Sequence, residues 1–402
     1  MRPATEGELS SLVAEHAVKR APIEIMGTGS KRSVGRPVQS AATLTTTGLR
    51  GISLYEPTEL VMSARAGTSL AEVEAELGAR GQMLAFEPLD VGPMFGAAAF
   101  QGTIGAVFAA NLSGARRVAA GAARDHLIGL RAINGRGEIF KSGGRVMKNV
   151  TGYDVARGLT GSWGTLAVLS EVTFKVVPMP ERTATLALYG LTDELAVEAM
   201  CAAMSAPYEV SGAVHLQGPM AGRLQHEGLR SLGRAVTALR IENFSKSVVY
   251  RTGKLQELLA PYGDIHVLDH ADSLWLWDEL RGLSVLQRGS KPLWRISTAP
   301  RVGPAVVSAI GRYMPVEAFY DWSGGLIWLE APETADAGAA DIRRVIARHG
   351  GHATLIRAEP PVRAAVEVFQ PLERVVERLS RQLKAAFDPA GILNPGRMYA
   401  AI

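Results

Sequence analysis

The sequence predicts an α+β protein with largely antiparallel sheets, and three observations carry that reading. Asn134-Gly135-Arg136-Gly137 stands between two short apolar runs, the signature of a hairpin turn. From Arg182 to about Pro360 strand-helix-strand units repeat, as in a ferredoxin-like antiparallel sheet with helices on one face. With 402 residues, 47% hydrophobic, 20% charged and 43 glycines, the chain is long enough for two or three domains and is neither disordered, collagenous nor coiled-coil.

The elements follow in order. Leu9, Leu12, Val13, His16 and Ala17 share one face of a helix over Glu6 to Arg20, and Pro22 stops it before a strand at Ile23, Ile25 and Met26. A strand at Leu60 to Ala64 leads into a helix at Leu70 to Arg80, where Ser69 and Glu72 fit a capping box and Gly81 a left-handed C-terminal residue. Leu127 to Ile133 and Glu138 to Lys141 form the hairpin, and Thr165 to Val177 reads as a strand pair or one long bent strand. Pro178 and Pro180 mark a boundary, giving domains at 1–180 and 181–362 and a returning helix and tail at 363–402.

In the second domain the strands are Thr183 to Tyr189, Val210 to Leu216, Ala235 to Glu242, Ile265 to Leu268, Trp294 to Ser297, Val316 to Tyr320 and Leu326 to Glu330. Helices are expected at Thr192 to Met204, Ser245 to Leu259, Leu274 to Leu280, Asp336 to His349 and Arg363 to Phe387. The tail after Phe387 is too apolar for a free end and is expected to dock.

A net charge of only +4 argues against a nucleic-acid partner. The single cysteine, Cys201, cannot form an internal disulfide or hold an iron-sulfur cluster. The first residues lack a signal-peptide pattern, and the apolar stretch Gly96 to Ala110 is interrupted by Gln101, Gly102 and Gly105, so a cytoplasmic protein is expected.

Small residues cluster at residues 27–31, 102–105, 113–121 and 161–165. Each alone reads equally as an ordinary turn. Together they suit an elongated diphosphate ligand, because backbone without side chains reaches phosphate oxygens and lies flat against rings. None is spaced as a Walker loop or as GxGxxG, which disfavours ATP in a P-loop and NAD in a doubly wound sheet.

Three stretches carry a family resemblance: IEIMGTGSKR (23–32), the block from GTIGAVFAANLSGARR to SEVTFKVVPMP (102–180), and FDPAGILNPGRMY (387–399). The chain resembles the para-cresol methylhydroxylase and vanillyl-alcohol oxidase flavoproteins, and within them the FAD-binding E-subunit family of bacterial glycolate oxidase. The resemblance implies a two-subdomain PCMH-type FAD-binding fold. It further implies that Gly27, Thr28, Gly29, Ser30 and Lys31 wrap the FAD pyrophosphate and that Gly102, Thr103, Ile104 and Gly105 run along pyrophosphate and flavin. By the same resemblance Ser113, Gly114, Gly121 and Asp125 line the crevice, while Gly161, Gly164, Thr165 and Val172 meet the adenosine half. A solvated loop lysine is the alternative for Lys31.

Family members that tether FAD use a histidine in the first loop or a cysteine; with neither near residues 27–31, the FAD is expected to be non-covalent. The resemblance brings Asn394 near the flavin edge, where a turn-forming Asn before Pro is the other reading. Arg295, on a predicted strand, is a candidate anchor for a substrate carboxylate, and a surface charge is the alternative. The histidine-rich stretch that supplies metal and base in self-sufficient relatives is missing. His266 and His270, placed on a strand, and His349 and His352, flanking a Gly-Gly turn, are read as non-ligands, so no metal is expected and the catalytic base stays unassigned.

The implied activity is oxidation of glycolate to glyoxylate within a complex containing a sister flavin subunit and an iron-sulfur subunit, with membrane contact only through partners. A stand-alone oxidoreductase of another 2-hydroxy acid and a flavin-carrying assembly subunit are the alternatives. Trp275, Trp277, Trp322 and Trp328 are candidate interface residues, with core packing as the other reading.

Overall fold

The computed structural model describes residues 1–145, 152–230, 233–287 and 289–400. Residues 146–151, inside the second motif block, lie outside the described residues. The chain divides into two compact units, Met1–Ser113 with Gly121–Met179 and Pro371–Ile402, and Gly114–Ala120 with Pro180–Gln370.

The first unit opens with the helix Glu6–Lys19, capped by Thr5, whose hydroxyl accepts from Glu8 N at 3.1 Å. Its strands are β1 (Ile23–Met26), β2 (Ala42–Thr45), β3 (Ile52–Glu56), β4 (Val61–Arg65), β5 (Gln82–Met83), β6 (Leu127–Asn134), β7 (Ile139–Gly143), β8 (Ala167–Lys175) and β9 (Val177–Pro178). β1 and β2 pair in parallel; β3, β4, β8, β6 and β7 form, in that order, an antiparallel sheet; β5 pairs with β9. The expected hairpin is β6–β7, and residues 165–177 hold the one long strand β8, flanked by β4 and β6, and reach the start of the short β9. Phe86, Phe108 and Phe174 stack through its core, with ring centroids 5.8 and 5.5 Å apart.

Sequence reasoning missed β2 and β3. The helix Leu70–Gly78 starts on Ser69 as expected but ends two residues before Arg80. The apolar stretch 96–110 holds only the short helix Ile104–Ala110, and no helix among the described residues is long and apolar enough to cross a membrane.

The second unit contains β10 (Arg182–Tyr189), β11 (Val210–Leu216), β12 (Val236–Asn243), β13 (Ile265–Leu268), β14 (Leu293–Ser297), β15 (Glu317–Asp321), β16 (Leu326–Glu330) and β17 (His352–Arg357). They form one antiparallel sheet in the order β13-β10-β12-β11-β15-β16-β14-β17. Each half is a complete ferredoxin-like βαββαβ module, and the two join edge to edge through β11 and β15. The doubling of the motif escapes the sequence because β17 was not predicted. Trp277, Trp322 and Trp328 are buried, and Trp275 is half exposed.

Two boundaries differ from expectation. Residues 114–120 belong to the second unit, where Trp322 Nε1 donates to Gly114 O at 3.0 Å and Arg116 Nε to Glu242 Oε2 at 2.8 Å. The return begins at Pro371 rather than 363, because the expected helix Arg363–Phe387 is two helices, Pro360–Ala365 and Arg374–Phe387. Pro371 cannot continue a helix. The freed carbonyls of Glu367 and Phe369 instead accept from Arg343 Nη2 at 2.9 and 2.8 Å. His270 is likewise off the expected strand: it opens the helix His270–Arg281, and its Nδ1 accepts from Thr183 N at 3.0 Å.

Candidate functional site: a glycine-lined cleft in the first unit

β1 delivers the chain directly into the glycine loop at residues 27–31. Gly27 is required by close approach, since a Cβ there would lie 2.3 Å from Thr103 Oγ1. Gly105 meets the same limit: its Cβ would fall 2.6 Å from the Cβ of Ala66. The Gly27–Thr103 approach brings the first and second small-residue clusters together, and both glycines line one cleft. Ala66, Ala109, Trp163, Leu169 and Arg397 complete its walls.

The cleft is prepared for negative charge. Among the described residues, the backbone N–H groups of Thr28, Gly29, Ser30 and Lys31 donate to no acceptor, while the loop is held from outside. Thr28 Oγ1 donates to Gln101 O at 2.6 Å, Thr45 Oγ1 to Gly27 O at 2.7 Å and Arg397 Nη2 to Lys31 O at 2.8 Å. Such consecutive free amides form an anion nest. Lys31 is only 8% exposed, which excludes the solvated reading, and nothing in the described chain accepts a hydrogen bond from its ammonium. Burial pushes its pKa below the usual lysine range, and the charge of Asp90 offsets only part of that. Thr103 Oγ1 is also buried without a partner. Unmet donors and a buried cation beside free amides fit a diphosphate group.

The C-terminal tail closes the far side. Ile23 N donates to Ile392 O at 2.7 Å and Asn394 N to Ile23 O at 3.0 Å, so residues 392–394 run beside β1. The Asn394 side chain lines the cleft, yet its amide is engaged within the chain: Oδ1 accepts from Ile25 N at 2.7 Å, and Nδ2 donates to Trp163 O at 2.8 Å and Ile25 O at 3.3 Å. It therefore clamps β1 to the loop at 161–164. Gly164 has φ +71° and lies where a Cβ would be 2.9 Å from Asn394 Nδ2, so both conformation and space demand glycine.

Of the expected FAD contacts, Gly27, Thr28, Gly29, Ser30, Lys31, Gly105 and Gly164 line this cleft. Gly102 and Thr103 lie immediately behind the loop, and Ile104 is buried in the core. Gly161 and Thr165 bracket Gly164: Gly161 N donates to Phe108 O and Thr165 Oγ1 to Ser162 O. Val172 is a core residue of β8 and does not line the cleft. The third cluster does not reach it either. Ser113 Oγ accepts from Ala123 N, Asp125 caps Ala122 N at 2.9 Å beside Gly121, and Gly114 belongs to the second unit. Sequence reasoning missed Ala66, Ala109, Trp163 and Arg397; the last three lie within the motif blocks, where the signal was the small residues around them.

Arg295 lies in the second unit on β14 and is 8% exposed, not a surface charge. Its guanidinium lies 5.0 Å from the Trp322 ring centroid and 6.0 Å from that of Trp328, with Nε buried and unpartnered. Burial, then repulsion from Arg117, lowers its pKa to about 10, with Asp321 opposing. Burial and the charges of Arg295, Arg117 and Arg343 likewise hold His352 below its usual range. Among the described residues no cluster of three His, Cys, Asp or Glu side chains is arranged for a metal ion.

A family model described as an FAD binding domain matches residues 1–143. The glycolate oxidase subunit GlcE of Escherichia coli K12 is 36% identical over 390 residues, 95% of this chain and 94% of that protein. Glycolate oxidase subunit GlcD of Bacillus subtilis 168 is 26% identical, covering 99% of this chain and 88% of its own length. Substrate-bound p-cresol methylhydroxylase shares the fold, with a TM-score of 0.75, 13% identity, and coverage of all of this chain and 88% of that one. The chain therefore belongs to the GlcE family of FAD-binding oxidoreductases, with the fold of the para-cresol methylhydroxylase and vanillyl-alcohol oxidase flavoproteins.

Proposed function

We propose that this chain is the non-covalent FAD subunit of a multi-subunit glycolate oxidase, in which glycolate is oxidised to glyoxylate and electrons leave through an iron-sulfur partner. The observation that carries the reading is the buried, unpartnered Lys31 ammonium beside the free amides of residues 28–31. Lys31 and that nest hold the pyrophosphate, the Gly27 and Gly105 contacts keep the cleft open to it, and Asn394 fixes the loop carrying Gly164. When bound, FAD supplies the acceptor for the two electrons that leave glycolate as its C2–H and hydroxyl protons are removed.

Arg295 is the carboxylate anchor in this reading. A nine-tenths buried guanidinium with an unmet Nε, stacked on tryptophan, is suited to a small anion. The single cysteine supports an electron outlet on another chain, since one thiolate cannot hold a cluster.

The test is an anaerobic optical titration of the complex purified through this chain. Glycolate bleaches the flavin band of the wild type, and Arg295→Ala requires at least tenfold more glycolate for the same bleaching. A preparation that carries FAD yet ignores glycolate overturns the substrate; an unchanged glycolate response in Arg295→Ala removes that residue.

A further inference from the structure

The helix Arg374–Phe387 is amphipathic with its apolar side turned outward. Val375, Val376, Leu379 and Leu383 are 58, 47, 55 and 43% exposed and fall within an arc of about 100° on the helix. The face that docks on the first unit is polar through Glu377, Ser380 and Lys384 and ends on Phe387. Lys384 is the buried residue of this helix. Its Nζ donates to Thr165 O at 2.7 Å, Asp388 Oδ2 at 2.7 Å and Leu393 O at 2.9 Å, so all three donors are taken. Phe387 packs against Phe140 with ring centroids 5.9 Å apart. Rolling the helix to hide its leucines would break every one of those bonds and strand an ammonium inside the protein. The outward stripe is therefore built in.

We propose that this stripe is the docking helix for a different polypeptide, a partner subunit offering an apolar groove edged by carboxylates. The inference rests on reading the chain as one subunit of an oxidase complex. Charge identifies the occupant. Arg374 and Arg378 flank the stripe and have no carboxylate partner in the described chain, whereas Arg381 is held by Glu377 at 2.7 Å. A second copy of this chain fits poorly: in an antiparallel helix pair the flank bearing Arg374 and Arg378 meets itself, like charge against like. An anionic membrane fits poorly as well, because two uncommitted cations fall short of the clusters of about four to eight that such surfaces recruit. A helix seated in a groove, with leucines as anchors and arginines at the rim, satisfies both the apolar face and the charge.

The experiment co-expresses this chain with the second FAD-linked subunit and the iron-sulfur subunit of the glycolate oxidase from the same organism. The complex is purified through a tag on this chain and its mass measured by light scattering. Leu379→Glu/Leu383→Glu is expected to release the partners, with association weakened about a hundredfold or more, while flavin absorbance and the melting temperature of the isolated chain stay at wild-type values. Arg374→Glu/Arg378→Glu is expected to slow association and abolish its salt dependence. A hetero-complex that survives the leucine variant overturns the proposal. So does a wild type that forms only homodimers, or that binds phosphatidylglycerol vesicles and not these subunits. Assembly and glycolate bleaching are read separately, so a complex that assembles through the stripe but ignores glycolate refutes the substrate and leaves the surface standing.

Discussion

Replacing Lys31 by Met should move two quantities in opposite directions. Without cofactor, the ammonium is buried with no hydrogen-bond acceptor, and burial is what lowers its pKa. An isosteric apolar side chain removes that desolvation cost, so the cofactor-free variant melts higher than the wild type. With FAD bound as proposed, the same change would delete a charge-assisted hydrogen bond to the pyrophosphate, of the order of 1.5 to 3 kcal/mol. That corresponds to a roughly tenfold to 150-fold rise in Kd. The pH dependence supplies a further check. A lysine whose folded-state pKa lies below that of the unfolded chain is more protonated when unfolded, so cofactor-free stability rises with pH between the two values. Lys31→Met flattens that rise. The assays are calorimetry of cofactor-free protein across the alkaline range and flavin fluorescence titration for Kd. An unchanged Kd, or a cofactor-free variant that melts lower at neutral pH, refutes the assignment of Lys31 to an anion.

Three other outcomes follow from the geometry. Gly105→Ala drives a Cβ to 2.6 Å from Ala66 and should cost about 1 to 3 kcal/mol in urea unfolding while weakening flavin retention; full stability with full yellow colour contradicts the close approach. Asp388→Asn leaves the buried Lys384 without its charge partner and should cost about 3 to 5 kcal/mol in the same assay, with FAD lost as residues 392–394 loosen. A loss below about 1 kcal/mol would show that the pair is dispensable. For Asp193, burial alone would raise the pKa, but hydrogen bonds from His215, Tyr320 and Gln217 hold it below the usual carboxylate value. Its stabilisation is complete above the unfolded-state pKa of about 3.9 and disappears as pH falls through the lower folded value. Acid titration of Asp193→Asn by circular dichroism should show a shallower acid limb; an identical limb excludes Asp193 as a contributor.

What could be read from the sequence follows the range of the forces involved. The β6–β7 turn was legible because Asn134-Gly135-Arg136-Gly137 is a local signal, and the loop at 27–31 because glycines and a lysine after an apolar strand are local too. The break between Ala365 and Arg374 was hidden by apolar residues that run across it, of which Val368 and Phe369 are buried while Val375, Val376, Leu379 and Leu383 beyond it form an outward face. The engagement of the Asn394 amide by Ile25 and Trp163, partners far away in sequence, is something no spacing reveals. The transfer of residues 114–120 to the second unit depends on Trp322 and Glu242 in the same way.

The bond between Asn394 and Ile25 spans 369 positions. A ribosome must thus translate past residue 394 before this wall of the cleft can close. Growing chains that stop short of Asn394 would lack the clamp, so retention of flavin doubles as a report that synthesis has passed that residue.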